Sequence, residues 1–267
     1  MFYGAKEEML RVGDGVMRHI SFGKGKRSLV MIQGLNTNRI KGMSKPLAYA
    51  YRLFAKDFRV HFFDRPEVLK TPVTVRDLSA DFAAAMDALN VSDAAVLGVS
   101  QGGMIAEYLA IDRPDLVRRM VLAVTLSRNN PIVAGTIEKW TEFTNSKNYK
   151  ALVRDMAERM YSEKYLRHYR PLMPLLTLLQ KPRDVPRFLS LMDSCLSCTA
   201  YDELEKIKCP TLVIGGMRDK VVGAEASLEI AEKLGCEIFM YENLGHAAYE
   251  EAKDFNRRVY DFLRAEE

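Results

Sequence analysis

Two kinds of hydrophobic pattern alternate along the chain. Short, almost uninterrupted hydrophobic runs, typical of strands buried on both faces of a sheet, occupy residues 28–33, 58–63, 94–98, 119–125 and 210–215. Between the runs, hydrophobic residues recur every three or four positions, most clearly over residues 74–90 and, near the end, over residues 248–264. Thr74, followed three positions later by Asp77, marks the predicted start of the first of these helices. This alternation predicts an α/β protein with a doubly wound, mostly parallel sheet.

Two parts of the chain depart from the alternation. Residues 9–22 centre on a Gly-Asp-Gly turn and predict an antiparallel hairpin at the start. Residues 127–200 contain helical patterns and no convincing strand. We therefore predict a core formed by residues 1–126 and 201–267, with a helical cap, or lid, inserted at residues 127–200.

Composition and charge narrow the class of protein. The chain has 267 residues, of which 48% are hydrophobic and 28% are charged, so a sizeable core is possible and a largely disordered chain is excluded. Lys+Arg number 39 against 35 Asp+Glu, a formal net charge of +4. Because so weak an excess builds no focused positive field, we expect no nucleic-acid partner. We expect a monomer or a homodimer that binds a small-molecule substrate.

Targeting signals and cysteine content bear on the compartment. No basic segment followed by an apolar run opens the chain, so we expect no secretory peptide. No run reaches the roughly 18 apolar residues that span a bilayer, and the apolar segment 171–179 contains two prolines, so we expect no membrane partner. Four cysteines are too few for a disulfide framework in a chain this long. These features predict a reduced, cytoplasmic protein.

The candidate chemistry begins with a serine between two glycines. Residues 98–102 read Gly-Val-Ser-Gln-Gly and stand between a predicted strand and a helical pattern over residues 104–111. Glycines on both sides permit a crowded turn that projects the Ser100 hydroxyl above the sheet edge. The bare pattern is weak, so the strand–turn–helix setting carries the prediction. The alternative is a glycine-rich turn with a structural role.

A nucleophilic serine needs a base, and the chain has only four histidines. His246 lies in a predicted loop between residues 236–241 and the last helix, at the sheet end that carries the other strand-to-helix turns. His19, His61 and His168 lie in the hairpin, in a buried strand and in the helical insertion, where structural or surface roles are favoured. We therefore predict that His246 is the base, against the alternative of a helix-capping histidine.

The base needs a carboxylate that orients it, and Asp219 is the candidate. It follows the strand at 210–215 and precedes a helix predicted to begin near Ala224. The other position for an acid, after the strand that ends at Thr125, has no carboxylate. The alternative for Asp219 is a turn or helix-entry residue. Along the chain the order is Ser100, Asp219, His246. This order distinguishes serine hydrolases with a core of alternating strands and helices from other serine hydrolases.

Together these motifs resemble the α/β-hydrolase fold superfamily over essentially the whole chain. The resemblance implies that Ser100 is the nucleophile, that His246 is the general base and acid, and that Asp219 holds the imidazole. It also implies an oxyanion hole formed by the backbone N–H of Gln101, at a helix N-terminus, and by that of Leu35, in the loop after the third strand.

Two positions depart from the superfamily pattern. Relatives commonly have His-Gly where this chain has Gln33 and Gly34, which puts in doubt any substrate contact assigned to that histidine. The glutamine amide can still brace the loop. After the strand at 58–63, relatives often have a longer, glycine-containing loop, whereas this chain has Asp-Arg-Pro. We expect Arg65 to pair with a carboxylate on the rim; the alternative is that it faces the pocket and attracts an acidic substrate.

The cap is the predicted specificity element, because its hydrophobic residues supply a pliable apolar wall over the serine. The candidate substrate contacts are Gln33, Asn36, Trp140, Met156 and Met160.

No cofactor and no metal are predicted. The chain lacks a phosphate-binding Gly-x4-Gly-Lys loop and a dinucleotide-binding Gly-x-Gly-x-x-Gly fingerprint. Cys195 and Cys198 have the spacing of metal and redox pairs, but no second ligand pair flanks them and they do not stand at a strand-to-helix junction. We interpret them as ordinary cap cysteines.

We therefore predict a carboxylesterase-like serine hydrolase that cleaves a small or medium-sized carboxylic ester or thioester through an acyl-enzyme intermediate. Three alternatives stay open within the superfamily, since the fold does not separate them: C–C bond hydrolysis, cofactor-free oxidation, and a ligand sensor with slow turnover. Haloalkane dehalogenation is disfavoured, because relatives with that activity have aspartate in place of Ser100.

Overall fold

The computed structural model describes residues 3–265, so residues 1, 2, 266 and 267 of the predicted core lie outside the described residues. One eight-stranded sheet runs through the protein. Its strands are β1 (Lys6–Val12), β2 (Gly15–Phe22), β3 (Arg27–Ile32), β4 (Phe58–Phe63), β5 (Ala94–Val99), β6 (Val117–Ala123), β7 (Thr211–Gly216) and β8 (Glu237–Tyr241). The helices are α1 (Ser44–Ala50), α2 (Val75–Ala88), α3 (Gln101–Asp112), α4 (Pro131–Asn145), α5 (Tyr149–Met160), α6 (Glu163–Tyr169), α7 (Met173–Gln180), α8 (Val185–Cys195), α9 (Ala224–Leu234), α10 (Ala248–Glu251) and α11 (Phe255–Arg264).

The strands lie in the order β1-β2-β4-β3-β5-β6-β7-β8. Strand β2 pairs antiparallel with both β1 and β4, and every other neighbouring pair is parallel. The prediction of a mostly parallel α/β sheet is confirmed, and the opening hairpin forms as expected. In this order the carboxyl ends of β5, β7 and β8 lie at one edge of the sheet, which brings together the turns that follow them.

Apolar side chains cover both faces of the sheet, which explains the uninterrupted hydrophobic runs. In β5, Val96 belongs to the core cluster on one face and its neighbour Leu97 to the cluster on the other. Helix α2 begins where predicted, because Thr74 and Asp77 form a reciprocal capping box: the Thr74 oxygen accepts from the Asp77 N–H at 3.1 Å, and the Thr74 N–H donates to the Asp77 carboxylate at 2.9 Å.

Helices α4–α8, which we call the cap helices, form an insertion between β6 and β7. The chain enters and leaves this insertion through a narrow neck. Arg128 and Thr199 form an isolated antiparallel bridge there, and the N–H of Tyr201 donates to the carbonyl of Ser127 at 2.9 Å. The neck lies close to the predicted cap boundaries, which themselves stay a prediction.

The predicted last helix over residues 248–264 is two helices rather than one. Ala252 takes an extended backbone conformation and ends α10, and α11 then begins at Phe255. The side chain of Asp254 accepts hydrogen bonds from Tyr241 at 3.0 Å and from Arg258 at 2.7 Å, which ties the break to the end of β8. Within residues 3–265, no helix combines the length and the apolar character that a bilayer crossing requires.

Candidate active site

Ser100 lies in a sharp turn between β5 and α3, with φ 53° and ψ −122°. A positive φ is strained for a residue with a side chain, and such strain is typical of a nucleophile held at a strand-to-helix elbow. The flanking glycines are needed because the backbone is crowded. A Cβ at Gly98 would lie 2.5 Å from the carbonyl oxygen of Gly102, and a Cβ at Gly102 would lie 2.0 Å from that of Ile32.

His246 joins Ser100 and Asp219 into a continuous chain of hydrogen bonds. Its Nδ1 lies 2.8 Å from Oδ2 of Asp219, and its Nε2 lies 2.9 Å from Oγ of Ser100. A carboxylate only accepts hydrogen bonds, so Nδ1 carries the proton and donates, and Nε2 is left to accept from the serine hydroxyl. His246 and Asp219 are only 3% and 8% exposed, so little water competes for these bonds. The structure thus brings together the three side chains that the sequence predicts.

Asp219 is held as an ionised carboxylate. Burial alone would raise the pKa of its carboxyl group, but the neighbouring His246 and the backbone N–H groups of Val222 and Val221 outweigh burial and keep this pKa below its usual value. The two N–H groups donate to Oδ1 at 3.0 Å and 2.8 Å. The second carboxylate oxygen is therefore free to orient the His246 ring.

The end of α5 is bonded to the loop that carries His246. The carbonyl of Met160 accepts from the N–H of Ala247 at 2.8 Å. The Tyr161 hydroxyl donates to Glu250 at 2.6 Å, and the N–H of Ser162 donates to Glu251 at 2.8 Å. The position of the imidazole therefore depends on the cap as well as on the core.

A cavity of about 50 Å³ opens at Ser100 and His246. Each water needs roughly 10–15 Å³ of such space, so the cavity accepts only a compact group. Trp140, Met156 and Met160 line it, as predicted for candidate substrate contacts. No lysine, arginine, aspartate or glutamate of the described chain is among its lining residues.

The other two predicted contacts, Gln33 and Asn36, lie elsewhere. Both line a second cavity of about 340 Å³, which we call the side cavity and which shares Gly34, Leu35 and Tyr249 with the cavity at Ser100. The loop that contains them still approaches the serine, because a Cβ at Gly34 would lie 3.2 Å from Cβ of Ser100. Of the predicted oxyanion donors, Gln101 is the first residue of α3 and Leu35 lines the cavity at Ser100.

Arg65 does not take the position expected for it. It is 1% exposed, and its Nη2 donates to the carbonyl of Gln33 at 2.6 Å and to Oε1 of Gln101 at 2.7 Å. The Gln101 amide in turn donates to the carbonyl of Leu191 in α8 at 2.7 Å. Burial lowers the pKa of Arg65 to about 10, so it remains a cation. The prediction that it pairs with a carboxylate on the rim is wrong, because its hydrogen bonds brace the serine turn and the loop before Leu35.

Sequence reasoning missed several residues of the cavity wall. Cys195 and Tyr249 line the cavity at Ser100, as do Val221 and Val222 from the turn after Asp219. The two valines come two and three positions after Asp219 and are the ones that spacing along the chain could have found. Cys195 comes from α8, so only the packing of the cap on the core brings it there.

No metal site is evident in the part of the chain that the structure describes, since no three potential ligands among His, Cys, Asp and Glu cluster there. Cys195 and Cys198 are buried free thiols. Burial raises the pKa of the Cys195 thiol to about 11, so it is neither a ready nucleophile nor a ready metal ligand.

A hydrogen-bonded serine, histidine and aspartate at the carboxyl edge of a parallel sheet is the active-site arrangement of α/β hydrolases. Residues 27–253 match the family described as alpha/beta hydrolase fold. The chain therefore belongs to this family, and the resemblance predicted from its motifs is confirmed.

The chain is similar to proteins that carry the names of different hydrolases. The chain is 22% identical over 222 residues to 3-oxoadipate enol-lactonase 2 of Acinetobacter baylyi, covering 80% of each chain. It is 28% identical over 187 residues to a 2-hydroxymuconate semialdehyde hydrolase of Pseudomonas putida, covering 67% of this chain and 65% of the other. The crystal structure of MGS-M2, an alpha/beta hydrolase enzyme from a Medee basin deep-sea metagenome library, is similar with a TM-score of 0.88 and 20% identity, covering 97% of this chain and 98% of that one.

Proposed function

We propose that the protein is a serine hydrolase that cleaves a small carboxylic ester or thioester through an acyl-enzyme intermediate. The observation that carries this proposal is the hydrogen-bonded chain from Ser100 through His246 to Asp219 at the mouth of an apolar cavity. Serine hydroxyls become nucleophilic when a neighbouring base takes the proton, and Nε2 of His246 lies within hydrogen-bonding distance to do so.

The reaction proceeds in two acyl-transfer steps. Ser100 Oγ attacks the acyl carbon as His246 takes its proton, and the N–H groups of Gln101 and Leu35 stabilise the oxyanion. His246 then gives the proton to the leaving alcohol or thiol, and the acyl group stays on the serine. A water that gives its proton to His246 then attacks this ester, and His246 returns the proton to Oγ of Ser100 as the acyl–oxygen bond breaks and the acid leaves. Side chains and backbone supply every proton transfer and charge contact, so we propose no cofactor.

The cavity favours an acyl group without charge. A carboxylate on the acyl part would lose its hydration in a space whose walls carry no lysine or arginine, and burying an unpaired charge is costly. Arg65, the nearby cation, points to Gln33 and Gln101. Oxoadipate and muconate, which appear in the names of the two relatives, are carboxylic acids. We therefore propose that this protein acts on a different, neutral acyl group.

One relative favours a second candidate. The P. putida relative is named a semialdehyde hydrolase, and the second candidate is C–C bond hydrolysis by Ser100, His246 and Asp219, since one fold supports both reactions. The enol-lactonase of A. baylyi acts, by its name, on a lactone, which is a cyclic ester. The apolar cavity supports the ester, and a β-diketone assayed beside the ester series separates the two reactions.

The proposal is tested with a series of nitrophenyl esters from acetyl to decanoyl. We expect wild type to prefer short acyl chains and the Ser100→Ala variant to lose at least about 10⁴-fold in kcat. Ser92→Ala, which changes an exposed serine far from the site, is the matched control. Hydrolysis by a folded Ser100→Ala variant at the wild-type rate, with circular dichroism unchanged, would refute the assignment of the nucleophile.

A further inference from the structure

The side cavity has the character of a ligand site. Its walls are largely apolar and include Met31, Ile40, Leu47 and Phe62. A few polar residues also line this apolar surface: Gln33, Asn36, Tyr51, Tyr249 and Glu250. A mostly apolar concave site with a small number of polar groups is the usual form of a small-molecule site.

Glu250 gives this cavity a negative charge. Among the described residues that line it, Glu250 is the only one with a formally charged side chain. The Tyr161 hydroxyl donates to Oε2 of Glu250 at 2.6 Å, which holds the carboxylate in place without neutralising it. Glu250 is exposed to solvent, so it lines the cavity from the open side, where its negative charge favours a cationic ligand.

Aromatic rings surround the same space. The Tyr51 and Phe62 rings lie 5.4 Å apart on its wall, and Tyr249 closes the side toward Ser100. Burial, and then the charge of Glu250, raise the pKa of Tyr51 to about 12. The same two causes raise the pKa of Tyr249 well above its usual value, so both phenols stay neutral and keep their electron-rich rings. Such rings attract ammonium groups.

We propose that the side cavity binds an alkylammonium group, with Glu250 supplying the opposite charge and the rings of Tyr51 and Tyr249 supplying contact. Quaternary ammonium groups suit this site because they have no N–H to satisfy and gain from both the carboxylate and the aromatic faces. Gln33 complements them, because its Nε2 is buried without a hydrogen-bond partner among the described residues and can donate to an oxygen of the same ligand.

The position of the side cavity extends the proposed function. Gly34, Leu35 and Tyr249 are shared by both cavities, so a ligand in one lies against the wall of the other. If the protein is an ester hydrolase, which this step assumes, the ammonium group belongs to the alcohol part of the substrate. The neutral acyl part then occupies the cavity at Ser100.

The test measures binding apart from turnover. Choline and its uncharged isostere 3,3-dimethylbutan-1-ol are titrated into the Ser100→Ala protein by calorimetry at low salt, because salt screens a partly exposed carboxylate. We expect choline to bind at least about tenfold more tightly than the isostere, a difference of about 1.4 kcal/mol. Equal affinities, or no choline binding at millimolar concentration, would overturn the proposal.

Two variants locate the effect. Glu250→Gln, made in the same background, keeps an oxygen that accepts from Tyr161 but removes the charge, and we expect it to bring choline affinity down to that of the isostere. Tyr161→Phe removes the hydrogen bond and keeps the carboxylate, and we expect choline affinity to change less than about twofold. If folded Glu250→Gln binds choline as tightly as the Ser100→Ala parent, the Glu250 carboxylate does not hold the ammonium group. If choline binds but wild type hydrolyses no nitrophenyl ester, the proposed function is refuted and the ammonium site is not.

Discussion

Arg65 donates a 2.6 Å hydrogen bond from Nη2 to the carbonyl oxygen of Gln33 from a fully buried position. A cation in this position loses its hydration, and no carboxylate accepts a hydrogen bond from its guanidinium among the described residues. The same nitrogen also reaches Gln101, so one guanidinium connects the loop before Leu35 with the residue after Ser100. We infer that Arg65 is a positioning residue for the two proposed oxyanion donors.

The first prediction concerns the Arg65→Lys variant. An ammonium is a compact donor without the planar fork of a guanidinium, so it does not hold both oxygens in one geometry. We expect kcat for nitrophenyl acetate to fall about 10- to 100-fold with a smaller change in KM, because misplaced donors weaken the transition state more than the ground state. Arg183→Lys, at an exposed position, is the control. A larger effect on KM than on kcat would point to substrate binding instead.

The second prediction concerns Asp219→Asn. An amide can donate to Nδ1 of His246 and so favour the tautomer whose Nε2 carries the proton, which cannot accept from Ser100. We expect kcat to fall about 10⁴-fold while the melting temperature changes little. Asp202→Asn replaces an exposed aspartate and serves as the comparison. Activity within tenfold of wild type would mean that another group orients the imidazole.

The third prediction uses two buried histidines outside the site. His19 and His61 stack with ring centroids 5.3 Å apart and share a 3.0 Å hydrogen bond, and Glu8 accepts from His19 at 2.9 Å. Burial, aided by His19 and Arg59, lowers the pKa of His61 to about 3. In the unfolded chain His61 binds a proton near pH 6.5, whereas in the folded protein it stays neutral until the pH falls to about 3. Stability therefore falls as pH drops from about 6.5 toward 3, by about 1.4 kcal/mol per pH unit for this histidine.

Urea unfolding of wild type and His61→Phe between pH 7 and pH 4 measures this slope. Phenylalanine keeps the aromatic stack with Phe63 and removes the titrating group, so we expect a shallower fall in the free energy of unfolding. His168→Phe, at an exposed position in the cap helices, should follow the wild-type curve. Parallel curves for all three proteins would contradict the assignment.

Most of the fold and the central side chains of the site were predictable because their signals are local. A strand covered on both faces shows an uninterrupted hydrophobic run, and Ser100, Asp219 and His246 come one, three and five positions after the ends of β5, β7 and β8. Arg65 was not predictable in the same way. Its partners lie 32 and 36 positions away, and Gln101 reaches α8 across 90 positions, so only three-dimensional packing brings these groups together.

The break between α10 and α11 and the split of candidate contacts between two cavities have a similar origin. Hydrophobic spacing over residues 248–264 is continuous, and the interruption depends on the contacts of Asp254 with the end of β8. Gln33 and Asn36 flank Gly34 and Leu35, which line both cavities, but they themselves line only the side cavity and not the cavity at Ser100.

The last prediction concerns the depth of the cavity at Ser100. Met156 lines this cavity from α5 and is only partly buried, so truncating it enlarges the space without emptying the centre of the core. Met156→Ala should therefore admit longer acyl chains. Each added methylene that becomes buried contributes about 0.8 kcal/mol, which corresponds to roughly a fourfold gain in kcat/KM. We expect the preferred acyl length to rise by about two carbons, and kcat/KM for nitrophenyl hexanoate relative to acetate to rise about 10-fold or more. Met9→Ala, which truncates an exposed methionine on β1, should leave the ratio unchanged. An unchanged ratio in Met156→Ala, with the melting temperature close to wild type, would place the acyl group elsewhere.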